Sequence, residues 1–333
     1  MNWKRTSILS FVIFIASFSW MIFRKSTQSI NSNQTKPLRK KVALRERSPH
    51  TNKSQKPLPS SSQKLKQPQV LKTKYQGKSG SSLPVEDGHI PISDELGNLY
   101  PTTISVREGK LVAYGDIIVG DAKFINDYKS GKKELKVAKP KLWPKGIIPY
   151  IIKEDILQVQ KEALGNLFKE LKDETSIQFV QFNPSKHKHY VEFLAGEEHC
   201  LAQVGYLNDN SKVTLSPGCG YPEMCHEIFH VIGLFHEQNR FDRDNHVKIL
   251  WENIEEDYWS QFEKFPEQLY SGGFSEALGP FSFNTIMIYS STNFSRNQDY
   301  SMVNIFGDGF EAPEHATEVD YGRAKKLYAP LIN

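Results

Sequence analysis

The chain has 333 residues, 38% of them hydrophobic, with three cysteines and a formal net charge of +4. That length and hydrophobic share suffice to bury one good-sized core or two smaller ones. The charge is unevenly placed: up to Val85 there are 17 basic residues against the single acid Glu46, and the remainder is acidic. No base-stacking module accompanies the basic run, so nucleic acid is not expected as a partner.

The chain opens with Lys4 and Arg5, then an apolar run from Ile8 to Phe23 closed by Arg24 and Lys25. The run exceeds most signal-peptide cores and falls a little short of the roughly 20 residues that span a bilayer comfortably. Ser17 and Ser19 suit a cleavage site, whereas the apolar stretch continuing through Trp20 into Arg24-Lys25 favours an uncleaved anchor slightly. Either reading means export. Residues 26–84 are rich in Ser, Gln, Lys and Pro without periodicity, and such a segment cannot bury enough surface to offset its ordering entropy. A disordered basic linker is expected, with affinity for a membrane or another anionic surface. From Val85 the chain turns acidic, and Gly115-Asp116 sits inside the run Leu111 to Gly120, where an ordinary turn between two strands is one reading.

Gly146 to Ile152 reads as a strand, and Glu154 to Asp173 as an amphipathic helix with Ile156, Leu157, Leu164, Leu167, Phe168 and Leu171 on one stripe. Strands are expected at Ile177 to Phe182, Tyr190 to Leu194, Leu201 to Tyr206 and Lys212 to Leu215. A helix then begins near Pro222 and Glu223, a proline and an acid in its first turn. It carries His226-Glu227-Ile228-Phe229-His230-Val231-Ile232-Gly233-Leu234-Phe235-His236, which reads H-E-x-x-H-x-x-G-x-x-H. Two histidines four residues apart share one helix face and can aim ring nitrogens at one ion. Gly233 accepts the positive φ of a chain reversal that brings His236 round as a third ligand. Three neutral imidazoles suit one Zn²⁺ with an open position, and Glu227 becomes the general base for a water bound there. Cys225 points about 100° off the metal-binding face, which favours a buried free thiol. His187, His189, His199 and His246 read as surface residues.

After Val247 the composition is loop-rich, with Gly272-Gly273 and Gly279-Pro280 marking turns before Thr285-Ile286-Met287-Ile288-Tyr289. Thr317 and Asp320 open a closing helix to about Tyr328.

The zinc motif continues through Glu237 to Asp244 as H-E-x-x-H-x-x-G-x-x-H-E-x-x-R-x-D-R-D, which closely resembles the signature of the astacin family of metzincin zinc endopeptidases. Thr285 to Tyr289 is similar to the family's Met-turn, and Trp143 to Tyr150 to the start of its mature domain. The resemblance implies zinc ligation by His226, His230 and His236, a catalytic base in Glu227, Met287 beneath the metal, and Tyr289 as a labile further ligand that stabilises the oxyanion. It implies a Cys200–Cys219 disulfide, and hence an oxidising compartment. It also gives Gly115-Asp116 a second reading, as a propeptide motif whose aspartate plugs the open metal position, with Asp121 as the rival plug. Glu237 resembles the family's partner for the new N-terminus. Two departures stand out: Ile288 occupies a usual histidine position, and the second family disulfide is missing, with Ser176 near its first half.

The fold class expected is α+β, a two-lobed metzincin-type catalytic domain with a twisted mixed sheet, an active-site helix and a loop-rich C-terminal lobe. The organisation expected is a signal peptide or anchor at 1–25, a linker at 26–84, an inhibitory propeptide-like segment at 85–140 and a metallopeptidase domain at 141–333. One Zn²⁺ per chain, protein or peptide substrates, a latent precursor and a monomer complete the reading. Two rivals are a binding protein with a structural zinc, disfavoured because such a site recruits a fourth protein ligand, and a surface-attaching module built on the basic N-terminal part.

Overall fold

The run Ile147-Ile148-Pro149-Tyr150-Ile151-Ile152 carries no charged residue, as befits a strand covered on both faces, and it lies inside the main sheet. The computed structural model describes residues 89–93, 99–133, 135–136, 140–270 and 273–332, all of them within one compact unit, Leu65–Asn333. The apolar run, the linker and residues 85–88 of the acidic segment lie outside the described residues.

In chain order the elements are β1 (His89–Ser93), β2 (Leu99–Thr103), β3 (Ser105–Arg107), β4 (Lys110–Ala113), β5 (Ile117–Asp121), α1 (Ile125–Lys129), β6 (Leu135–Lys136), β7 (Ile147–Ile152), α2 (Gln158–Thr175), β8 (Gln178–Gln181), β9 (Val191–Ala195), β10 (Cys200–Ala202) and β11 (Ser211–Leu215). Then follow α3 (Tyr221–Val231), β12 (Val247–Ile249), α4 (Gly273–Leu278), β13 (Met302–Asn304) and α5 (Glu318–Ile332). The main sheet has the order β3-β4-β5-β10-β11-β9-β7-β8. β7, β8, β9 and β11 pair in parallel, and β10 runs antiparallel to β11. β5 lies parallel to β10, with Ala202 opposite Ile117, so three strands from the N-terminal side extend the sheet beyond β10.

Helix α2 begins at Gln158, later than the pattern predicts: Leu157 caps it and is exposed, while Ile156 is buried ahead of the helix. Leu164, Leu167, Phe168 and Leu171 form the buried stripe, and Phe168 stacks on Phe179 at 4.2 Å. Ser176 ends the helix in the left-handed region at φ 66°. β10 is shorter than the expected 201–206 strand, because the chain turns at Gly205, φ 67°. Gly273 opens α4 instead of marking a turn.

A second cluster, Val247, Ile249, Ile254, Phe262, Ile288, Tyr289 and Met302, forms the core of the lower lobe around the β12–β13 pair. α5 ties the lobes together. The Tyr328 hydroxyl donates to the Ile232 carbonyl (3.0 Å) and accepts from the Trp143 amide (3.3 Å), while the Trp143 indole donates to the Val231 carbonyl (3.0 Å). The end of α3 is thereby fixed against both the start of β7 and the closing helix.

Candidate metal centre and cleft

Helix α3 starts with Pro222 in its first turn, and the Glu223 carboxylate accepts from the Gly220 amide at 2.9 Å. Met224, Ile228, Val231 and Ile232 are buried in the main core, which leaves His226 and His230 on one face. Gly233 reverses the chain at φ 110°, and His236 returns to the same point.

The three Nε2 atoms converge: 2.9 Å separates His236 from His226, and 3.1 Å separates His230 from His236. On the far side of each ring, Nδ1 meets an oxygen that can only accept: the Ile286 carbonyl for His226 (2.8 Å), the Leu234 carbonyl for His230 (2.7 Å) and the Asn239 side-chain oxygen for His236 (3.0 Å). Each Nδ1 therefore carries the proton, and three Nε2 lone pairs face one another. Burial pushes His226 down to about 3 and lowers His230, so both stay neutral.

A fourth donor completes the group. Tyr114 (φ 50°) and Gly115 (φ 112°) form the turn between β4 and β5 and deliver Asp116 to the histidines. Its Oδ1 lies 3.1 Å from His230 Nε2 and 3.0 Å from His236 Nε2, and its Oδ2 lies 3.6 Å from His226 Nε2. The turn and the approach to the histidines are thus one feature. Burial alone raises the Asp116 carboxyl, but His236 and His230 outweigh it and hold it well below the usual carboxylate range. Asp121 is elsewhere, paired with Lys110 (3.8 Å) and Lys123 (3.3 Å).

These donors fit zinc. Four ligand atoms about 2.0–2.1 Å from a tetrahedral ion lie about 3.3 Å from one another, close to the spacings found. Lone pairs and a carboxylate oxygen packed at such distances repel one another unless a cation lies between them.

Glu227 follows His226 on the helix and is 2% exposed, and its Oε2 has no hydrogen-bond partner. Burial, with Asp116 and Glu223 nearby, holds its carboxyl well above the usual range. The Tyr289 hydroxyl donates to Gln261 Oε1 (3.2 Å), and burial holds that phenol well above its ordinary value. Met287 is fully buried, and its carbonyl accepts from the Glu237 amide (2.8 Å). Asp320 of α5 holds this turn by accepting from the Ile286 amide (3.0 Å) and the Thr285 hydroxyl. Ile288, where the family usually has histidine, packs in the lower core.

Cys200 and Cys219 are joined by a disulfide, and Cys225 is a buried free thiol that burial pushes up to about 12. Asp242 and Asp244 pair with Arg240 (2.8 Å) and Arg243 (2.6 Å) in a charge cluster. Glu237 is buried and held by Arg323 through two bonds of 2.8 and 2.9 Å, and it also accepts from the Ser282 amide at 2.8 Å.

Four residues escape a reading of the sequence. Asn239 orients His236 and donates to the Gln261 and Glu263 carbonyls, and a signal for it exists, because a metal-binding histidine nearly always gives its second N–H to an oxygen. Gln261 and Glu263 leave no sequence signal. His199, expected at the surface, lies on the cleft rim.

Sheet, helix and three-histidine centre together define a zinc metallopeptidase of the metzincin kind. Residues 136–328 match the family model for the Astacin peptidase family, and the chain belongs to the astacin family. Low choriolytic enzyme of Oryzias latipes is 32% identical over 196 residues, covering 56% of this chain and 68% of that protein. Zinc metalloproteinase nas-4 of Caenorhabditis elegans is 30% identical over 192 residues, 57% of this chain and 59% of that one. Zinc metalloproteinase nas-8 of Steinernema carpocapsae is 31% identical over 188 residues, and there the chain spans only 43% of its relative's length. Among solved structures, high choriolytic enzyme 1, a hatching enzyme zinc-protease of Oryzias latipes, aligns with a TM-score of 0.49 at 23% identity, covering 57% of this chain and 94% of that one. Among the described residues no helix is long and apolar enough to cross a membrane.

Proposed function

We propose that the chain is an exported zinc endopeptidase made as a latent precursor, with residues 85–140 as an inhibitory prosegment and 141–333 as the catalytic domain. The observation that carries this reading is the buried Glu227 carboxylate, its Oε2 without a partner, in the cavity with His226 of the three converging imidazoles, the arrangement that metal-assisted hydrolysis of a peptide bond requires.

His226, His230 and His236 hold the metal. Bound Zn²⁺ supplies Lewis acidity, lowering the pKa of a water towards about 7 and polarising the scissile carbonyl. Glu227 takes the proton from the attacking water and gives it to the leaving amine, with a carboxylate oxygen left without a partner for that shuttle. Tyr289, released from Gln261, donates to the carbonyl oxygen as negative charge develops there. In the latent chain Asp116 fills the position that water and substrate need, and β5 occupies the edge of β10 on which an extended substrate pairs. Residues 1–25 act as a signal peptide or anchor and 26–84 as a basic tether to a membrane or another anionic surface. The substrates are proteins or peptides, and the chain acts as a monomer without nucleic acid.

The test is zinc content together with casein cleavage, after the prosegment is removed, in the parent and in Glu227→Ala. Both are expected to hold about one zinc, and only the parent to cut. Equal cleavage by the two proteins overturns the role of Glu227, and zinc lost with activity shows that it supports the metal instead.

A further inference from the structure

The loop between β9 and β10 presents three consecutive backbone amides to a single oxygen. Glu108 Oε1 accepts from the amides of Glu197 (3.1 Å), Glu198 (2.8 Å) and His199 (3.3 Å). Successive amides pointing into one concavity form an anion cradle that needs no cationic side chain. The His199 ring adds to it, with Nδ1 only 3.6 Å from the same oxygen and no hydrogen-bond partner of its own.

Glu108 is brought there at a cost. Glu108 (φ 50°) and Gly109 (φ 68°) form the tight turn between β3 and β4, and glutamate is a poor residue for the left-handed region. Its carboxylate is only 13% exposed, yet the amide bonds outweigh the burial and keep its pKa below the ordinary value. The side chains of Glu197 and Glu198 are exposed, so their charges are screened by water while the amides face inward.

The cradle borders the catalytic cleft: Glu108 and Glu197 line an adjoining cavity that shares Arg107, Glu198 and His199 with it. One open cavity of about 320 Å³ is lined by Glu198 and His199 from this loop and by His226 and Glu227 from α3. Arg107, beside Glu108, donates to the Gly115 carbonyl at 3.2 Å, so the same hairpin tip that fills the cradle also braces the turn that delivers Asp116.

We propose that the amides of Glu197, Glu198 and His199 form a carboxylate-binding subsite of the cleft, filled by Glu108 while the prosegment is docked and by an acidic side chain of the substrate after it leaves. The inference rests on the endopeptidase reading for its second half only. Charge-assisted bonds to backbone amides are strong enough to discriminate a carboxylate from the isosteric carboxamide.

The test uses the full chain carrying Glu108→Ala, which empties the cradle and leaves Asp116 over the histidines. Backbone amide resonances of residues 197–199 are followed by NMR during titration with N-acetylglutamate N-methylamide, and separately with N-acetylglutamine N-methylamide, so that the side-chain carboxylate is the one difference between the probes. Saturable downfield shifts of these amides with the acid alone support the subsite. No shift, or equal shifts with both probes, overturns it. A second arm takes the zinc-loaded chain after the prosegment is removed, which empties both the cradle and the edge of β10, and compares kcat/KM for peptide pairs that differ by Glu or Gln at one position. A preference for Glu of roughly tenfold or more at a single position supports the substrate role. Cleavage without any such preference overturns that role, and cleavage of no peptide overturns the endopeptidase reading while the NMR result still decides the cradle.

Discussion

Two regions meet at the metal centre, and they are built differently. On the catalytic side every histidine is braced: Ile286, Leu234 and Asn239 each hold one Nδ1, and Asp320 of α5 holds the turn that supplies the Ile286 carbonyl. On the N-terminal side Asp116 stands on a turn of two residues with positive φ, held by Arg107 on the Gly115 carbonyl and by one bond from the Ala202 amide to the Asp116 carbonyl. The difference bears on which half of the site the proposed activation would remove. Under the reading proposed above, the zinc ligands are fixed from behind, whereas the segment that leaves is held by contacts that separate with it: Glu108 on the 197–199 amides, Thr103 on Glu263, and Tyr114 and Ile117 in the core.

The largest break in that comparison is His230→Ala, expected to abolish zinc binding and cleavage together. Zinc analysis of the purified variant checks it, and retained metal contradicts the ligand assignment. Asn239→Ala leaves all three ligands in place and removes the brace on His236 together with the bonds from Asn239 to the Gln261 and Glu263 carbonyls. A loss of about 10–100-fold in zinc affinity or activity is expected, measured by chelator competition.

On the removable side, Gly115→Ala drives a methyl into the Tyr289 hydroxyl and to 2.7 Å from Gln261 Oε1, at a φ that alanine disfavours. A destabilisation of about 1–3 kcal/mol is expected to fall on plug docking, seen as faster amide exchange in β4 and β5, while the catalytic core keeps its protection.

The smallest effect concerns pH. Glu263 accepts from the amide and hydroxyl of Thr103, and burial pushes its carboxyl up to about 7 from an ordinary 4.5. A pKa raised in the docked form means that docking favours the protonated acid. The contribution is fully present below about 4.5 and is lost as pH rises through about 7, by up to about tenfold per pH unit in between. The N-terminal strands should therefore show less protection, taken relative to the exchange rate of an unstructured chain at the same pH, at pH 8 than at pH 5, and Glu263→Gln should flatten that difference.

Much of the permanent half is legible in the sequence because its chemistry is local. The spacing of His226, His230 and His236, with Gly233 between, fixes a helix face and a reversal within eleven residues. The removable half depends on pairings across more than 80 residues, such as Ile117 on Ala202 and Glu108 on the 197–199 loop, and periodicity carries no record of partners so distant. The start of α2 departs from its pattern because Ile156 and Leu157 continue the apolar spacing, although only Ile156 is buried and neither is helical.

The central claim is that Asp116 keeps a competent metal centre closed. The most direct measurement is the rate of casein cleavage by the zinc-loaded, unprocessed full chain with and without Asp116→Ala. A rate at least about tenfold above the parent is predicted, because the substitution removes a bond of ligand strength from the metal. An unchanged rate, with zinc bound and the chain intact, would contradict the claim.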